Sequence, residues 1–191
     1  MLRTKPSTLR MNESMRTRYS KFLSLVLRHQ PQLIGLTLDS QGWADTAELL
    51  RRCAAQRYAI TPAQLQDLVA TSPKQRFALS DDGRRIRANQ GHSIDVELGY
   101  APATAPDVLY HGTIAAVRNA IERDGLLKMQ RHHVHLSPDE ATARIVGGRR
   151  GPPVILHIDA AAMQRDGHIF FCSSNGVWLS EHVPPTYIRW P

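Results

Sequence analysis

Cysteine is scarce in this chain: two in 191 residues, Cys53 and Cys172, far apart. That excludes a disulfide framework and any paired-cysteine metal motif, and it fits a reducing, cytoplasmic setting. Long apolar runs are missing too. None approaches the roughly 20 residues of a membrane span, so no membrane partner is expected. Met1 to Arg18 is basic but has no apolar stretch, and so does not read as a secretory signal. No carboxylate cluster suited to Mg²⁺ is present. No GxGxxG occurs, which argues against a Rossmann domain without excluding dinucleotide binding. Internal repeats and low-complexity tracts are absent.

Lysine is also rare. Of 24 basic residues, 20 are arginine, whose planar fork grips phosphate bidentately. Net charge is +7, and it is unevenly placed. Residues 1–92 hold 15 Lys and Arg against 7 Asp and Glu, whereas residues 93–191 hold 9 against 10. A polyanion partner that docks mainly on the N-terminal half is expected. An apolar fraction of 42% is enough for a buried core.

Residues 1–16 read as a flexible basic arm. Tyr19 to Arg28 reads as a helix with Phe22, Leu25 and Val26 on one face, ended by Pro31. Leu36-Thr37-Leu38 alternates and precedes a Ser40-Gln41-Gly42 turn. Asp45 or Thr46 can cap a second helix with Leu49, Leu50, Cys53 and Ala54 as its apolar stripe, which makes Cys53 a buried thiol. Thr61-Pro62-Ala63-Gln64 is a capping box opening a third helix. Arg76 to Ser80 and Arg84 to Ala88, joined by Asp81-Asp82-Gly83, form a hairpin. Three helices, a short strand and a terminal hairpin make a winged-helix pattern over 17–92. Residues 93–107, with Pro102 and Pro106, read as a linker. Beyond it short strands fall at Val108–Tyr110, Val134–Leu136, Val154–Ile158, Ile169–Phe171 and Val177–Leu179. Ile114, Val117 and Ile121 mark a helix ending at Gly125, and Ser137-Pro138-Asp139-Glu140 caps another. The fold class is α+β.

Two phrases carry the chemistry. Leu27-Arg28-His29 sits where a helix must end, and Tyr110-His111-Gly112-Thr113 ends an apolar run. With Arg76 and the stretch Gln130-Arg131-His132-His133-Val134-His135-Leu136-Ser137 they make an Arg/His set suited to phosphate. His133 and His135 share a strand face, but no third and fourth ligand has the spacing a zinc site needs, so no metal is expected. Arg28-His29 also suits a helix dipole, Arg76 a solvated hairpin, and Ser137 an N-cap. Trp43, Trp178 and Trp190 read as core.

Several further phrases fall in the same order as in a known family: Ser20-Lys21-Phe22-Leu23-Ser24 leading to Leu27-Arg28-His29, Gly42-Trp43-Ala44, Lys74-Gln75-Arg76-Phe77, Ile86-Arg87-Ala88-Asn89-Gln90-Gly91-His92-Ser93, Tyr110-His111-Gly112-Thr113, Val134-His135-Leu136-Ser137 and Asn175-Gly176-Val177-Trp178-Leu179. The chain from about residue 18 onward resembles the RNA 2′-phosphotransferase family. The resemblance implies an N-terminal winged-helix lobe that faces RNA and a C-terminal ADP-ribosyltransferase-like lobe, 108–191, that binds NAD. It implies an RNA with an internal 2′-phosphate and NAD as co-substrates, with no obligate protein partner. The phosphate attacks the nicotinamide ribose, giving an ADP-ribosylated RNA. The ribose 2″-hydroxyl then releases 2′-hydroxyl RNA and ADP-ribose 1″,2″-cyclic phosphate.

The family's Arg-His-Arg-Arg tetrad falls on Arg28, His29, Arg76 and Arg131. By the same resemblance His111, Gly112, Thr113, His135 and Ser137 hold NAD. Asn175-Gly176-Val177 stands where many transferases of that fold carry a catalytic glutamate. Arg87, Gln90, Gly91, His92 and Ser93 are expected to touch RNA or phosphate. The chemistry suits the residues, because a phosphate is already an anion and needs cations that hold and orient it rather than a base. Two other functions share the pattern: an ADP-ribosyltransferase acting on terminal phosphates of nucleic acid, and a winged-helix regulator. Against the regulator, the third helix, Ala63 to Ala70, is poor in cations.

Overall fold

Asn12 begins the first helix, its side-chain oxygen accepting from Met15 N at 2.8 Å. In this computed structural model residues 11–149 and 151–191 are described; most of the expected N-terminal arm lies outside them. The helix, α1 (Glu13–Arg28), starts six residues before the expected Tyr19, because the cap sits upstream of the first apolar residue. Tyr19, Phe22, Leu23, Val26 and Leu27 form its buried stripe. It ends at His29, and a short 3-10 turn over Pro31–Ile34 follows.

The chain divides into two units between Leu98 and Gly99. In the first, β1 (Ala44–Asp45) leads into α2 (Thr46–Ala55), which Asp45 caps by accepting from Glu48 N. Helix α3 (Pro62–Ala70) opens on the expected capping box, with Thr61 and Gln64 bonding reciprocally. Strands β2 (Phe77–Leu79) and β3 (Arg85–Ala88) form the expected hairpin. The third strand of this antiparallel sheet is β1, beside β3. Leu36-Thr37-Leu38, despite its alternation, forms no strand; Leu36 is buried and Leu38 packs against the core from the side. Leu23, Leu27, Leu49, Leu65 and Ile86 fill the centre of the unit. Residues 93–98 belong to this unit, with Ser93 N on Arg28 O, Glu97 N on Ser40 O and Val96 buried.

In the second unit β4 (Val108–Ile114) runs four residues past the expected end at Tyr110 and pairs antiparallel with β7 (Pro153–Asp159) over its whole length. Ile114, expected in a helix, therefore closes the strand opposite Pro153. A 3-10 turn then leads into α4 (Arg118–Asp124), whose C-cap is Gly125. β5 (Leu126–Leu127) pairs with β10 (His182–Val183). β6 (Val134–Leu136) and β8 (Phe170–Cys172) flank β9 (Trp178–Ser180). β11 (Ile188–Arg189) lies on the other side of β7 from β4. α5 (Glu140–Gly147) is capped by Asp139 rather than Ser137, since Asp139 has the carboxylate oxygen in reach of Thr142 N. α6 (Ala160–Arg165) follows β7. Leu109, Leu136, Leu156, Ile158, Met163 and Phe170 form this unit's core, and Trp178 and Trp190 pack at its edge.

The whole is a mixed helix-and-strand fold with small antiparallel sheets. No helix among the described residues is long and apolar enough to cross a membrane.

Candidate active site

Each unit gathers part of the expected set. In the first, Arg28 and His29 stand at the end of α1. Arg28 Nη2 donates to Arg76 O at 3.3 Å, and its guanidinium lies over the Phe77 ring. Arg76 Nη1 donates to Ser20 Oγ at 3.2 Å, two turns back on the same helix. His29 Nδ1 meets Ser93 Oγ at 2.9 Å, and Ser93 N donates to Arg28 O. The last bond satisfies a carbonyl that the end of α1 would otherwise leave without a partner. Arg28, His29, Arg76 and Ser93 are thus drawn together, each anchored through neutral groups.

The backbone before Arg76 is fixed as well. Gln75 takes φ +40, in the left-handed region, and its carbonyl accepts from Asn89 Nδ2 at 2.5 Å. Asn89 N donates to Arg76 O. The turn Gln90-Gly91-His92 that follows is half-buried to buried, with His92 only 1% exposed. Sequence reasoning gave no role to Ser20 or Asn89. Ser20, Ser24 and Arg28 recur every four residues on α1, the one available signal that Ser20 shares the face of the arginine. A cavity of about 350 Å³ opens beside Arg76 and Ser20, walled by Thr17, Leu68, Thr71 and Pro73 among others.

Arg87 sits apart. On β3 its neighbours Ile86 and Ala88 face the core, so Arg87 points to the opposite face. There its guanidinium lies 4.6 Å from the Trp43 ring centre, and Arg85 lies 5.3 Å from it. Trp43 is half-buried beneath these two arginines rather than sunk in the core.

In the second unit the isolated pairing of Tyr110 with Ser137 draws the end of β6 to β4. His111 Nδ1 then donates to His135 O at 3.0 Å. A carbonyl only accepts, so Nδ1 carries the proton and Nε2 the lone pair of the neutral ring. Burial pushes the His111 imidazole below its usual pKa, and the nearby Arg131 charge adds to that; the bond to His135 O works more weakly the other way than burial does. Arg131 is held on a turn in which Met129 takes φ +54 and Arg131 N donates to Lys128 O. Its Nη1 donates to His135 Nδ1 at 2.5 Å. Arg131, His135, His111 and Ser137 therefore form one group. Gly112 and Thr113 continue along β4, where Gly112 faces α5: a Cβ on Gly112 would lie 1.9 Å from Ala143 O. The glycine admits the helix backbone. The Asn175-Gly176 turn, fastened by Ser173 Oγ to Asn175 Oδ1 at 2.7 Å, carries no carboxylate. Among the described residues no group of three or more His, Cys, Asp or Glu is placed to hold a metal ion.

Residues 14–182 match the model of the "RNA 2'-phosphotransferase, Tpt1 / KptA family". The chain belongs to this family. A probable RNA 2'-phosphotransferase of Streptomyces coelicolor is 52% identical over 181 residues, covering 95% of this chain and 98% of the relative. One from Burkholderia pseudomallei is 54% identical over 92% of this chain and 95% of the relative. One from Hahella chejuensis is 56% identical over 88% and 91% respectively. The protein is accordingly an enzyme, a transferase. Family membership agrees with the resemblance drawn from the seven phrases.

Proposed function

We propose that the protein removes an internal 2′-phosphate from RNA by NAD-dependent transfer, and that it does so in the cytoplasm. The observation that carries this reading is the linked trio Arg28, His29 and Arg76, with a backbone carbonyl and two hydroxyls as anchors. Fixed cations of this kind hold a phosphate dianion and stabilise the charge that develops on it during transfer. Arg28 and Arg76 would orient the 2′-phosphate, and His29 would bind it as imidazolium or move a proton. Ser93 and Gln90 are accessible and would contact the phosphate or the RNA; Gly91 and His92, expected to touch it too, are buried and would hold the turn behind them. Arg87 presents its guanidinium on the opposite face of the hairpin, over the Trp43 ring, where it suits a backbone phosphate.

The second unit fits NAD by its donor and acceptor set. His111 is neutral, with Nδ1 committed and Nε2 able to accept from a ribose hydroxyl or an amide. His135 on β6, Ser137 just after it and Thr113 on β4 would offer further polar contacts, and Gly112, next to Thr113, would offer its backbone. NAD would supply the electrophilic ribose carbon that takes the phosphate, by way of an ADP-ribosylated RNA that goes on to 2′-hydroxyl RNA and ADP-ribose 1″,2″-cyclic phosphate. Arg131, fixed to His135, would bridge the phosphate and that ribose. The three helices and hairpin of the first unit suit a winged-helix lobe, and the strands of the second suit an ADP-ribosyltransferase-like lobe.

The test is to incubate the protein with a 2′-phosphorylated RNA, with and without NAD, and to resolve the products. Loss of the 2′-phosphate should require NAD, release nicotinamide and survive EDTA. Turnover without NAD, or full loss in EDTA restored by Mg²⁺, overturns the reading. Modification of a terminal phosphate alone would favour the nucleic-acid ADP-ribosyltransferase instead.

A further inference from the structure

Helix α1 carries a second cationic feature that the reaction above does not use. Two turns before Arg28, Lys21 lies on the same stripe, with Thr17 and Ser24 completing the i, i+4, i+7, i+11 series. The rise of about 1.5 Å per residue sets Lys21 about 10 Å from Arg28 along the axis. Lys21 is exposed and has no partner among the described residues. It lines a groove of about 610 Å³, together with Arg18, Phe22, Leu25 and Tyr58.

The groove floor is aromatic. Phe22 and Tyr58 stack with centroids 3.7 Å apart and planes 4° from parallel. The Arg18 guanidinium lies 4.7 Å from the centre of the Tyr58 ring. A 3.7 Å stack leaves no room between the rings, so Arg18 covers the other face. The result is a ladder of Phe22, Tyr58 and Arg18 whose outer step is a planar cation. Among the described residues Arg18 makes no hydrogen bond or ion pair beside this ring contact. One carboxylate, Glu13, stands at the far end, toward the start of the helix.

We infer that this groove is a subsite for a nucleotide of the same RNA strand, next to the one that bears the 2′-phosphate; the inference rests on the proposed function. Single-stranded RNA is recognised by stacking bases on aromatic rings or arginine planes while cations track its phosphates. Here the base stacks on the Arg18 face of the ladder and the phosphate pairs with Lys21, on the line that leads to Arg28. Glu13 repels phosphate and ends the track at that side. The positive charge of residues 1–92 favours a polyanion, and the cation-on-ring ladder selects a base.

The test uses the full-length protein and two 2′-phosphorylated RNAs, one a single nucleotide with no neighbour to fill the groove and one of six nucleotides. A 2-aminopurine base flanks the modified nucleotide of the longer RNA. The double variant Arg18→Ala/Lys21→Ala removes two exposed side chains and leaves the core intact, and Arg51→Ala, on α2, serves as control. The ratio of kcat/KM for the long over the short RNA should fall by about tenfold in the double variant and stay at the wild-type value in the control. Without NAD, 2-aminopurine fluorescence should be quenched on binding to wild type and much less in the double variant. An unchanged ratio together with unchanged quenching overturns the subsite. If wild type binds the RNA with quenching but never consumes it with NAD, the proposed activity fails while the subsite stands.

Discussion

Arg131 Nη1 donates to His135 Nδ1 at 2.5 Å. An arginine has no acceptor and keeps its protons, so His135 Nδ1 supplies the lone pair and its Nε2 carries the hydrogen. Through its carbonyl, His135 also holds His111. The expected tetrad arginine is thus built into the group expected to bind NAD, within one unit.

That placement predicts a step-specific defect. Arg131→Ala should still allow phosphate capture by Arg28, His29 and Arg76, which belong to the other unit, but should slow the second step by roughly 10²–10³. An ADP-ribosylated RNA should then accumulate on a gel. Arg131→Lys should not rescue, because an ammonium lacks the flat fork. Only unreacted RNA at saturating NAD would mean that Arg131 acts earlier.

The first unit gives a graded prediction. Arg28→Ala and Arg76→Ala should each lower kcat/KM by about 10²–10³, since both remove a positioned charge. Ser20→Ala leaves the charge and removes only a hydrogen bond to Arg76, worth about 1 kcal/mol, so its loss should be about fivefold. A Ser20→Ala enzyme as impaired as Arg76→Ala would show that Ser20 itself touches the substrate.

Ser20 also marks what the sequence could and could not reveal. The starts of α2 and α3 and the hairpin were legible because their signals are local: Asp45 before α2, the Thr61–Gln64 capping box, and Asp81-Asp82-Gly83 between two strands; the start of α1 was not, because Asn12 caps it ahead of the apolar stripe. Boundaries set by tertiary pairing were not. Ile114, Val117 and Ile121 have helical spacing, yet Ile114 closes β4 because Pro153 on β7 lies opposite. Leu36 and Leu38 alternate like a strand, but the sheet takes Ala44–Asp45 as its edge. Single residues of the site were legible by type and order. Their links were not, since Ser20 to Arg76 and His29 to Ser93 join residues 56 and 64 positions apart. Arg131 and His135 have helical spacing in a segment that is not a helix.

Gly112 yields a prediction about stability rather than chemistry. Its added Cβ would meet Ala143 O at 1.9 Å, and a Cβ on Gly147 would meet Gly112 C at 2.8 Å. Both obstacles are backbone, which cannot swing aside as a side chain can. Gly112→Ala should therefore cost about 3 kcal/mol, at the upper end of overpacking penalties, seen as a lower urea midpoint. A near-neutral Gly112→Ala would mean that α5 can move off β4 freely.

The last prediction concerns pH. His111 and His133 both have pKa values pushed below the ordinary histidine value, in each case chiefly by burial. For His133, between the edges of Tyr100 and Phe171, the Glu181 charge partly offsets this. An unfolded histidine titrates near 6.5. As pH falls below that, the unfolded chain takes up protons that the folded one resists, so stability rises with pH in this window. The contribution of both imidazoles is full above about pH 6.5 and is lost as pH drops through their lower folded values. Unfolding by urea should thus become easier from pH 7 to about pH 5, before the carboxylates begin to titrate. His133→Gln and His111→Gln should each flatten the slope. His111→Gln also removes the ring that His135 O holds, so its stability at pH 7 should drop while its pH dependence weakens. A slope identical in wild type and both variants would place the acid sensitivity elsewhere.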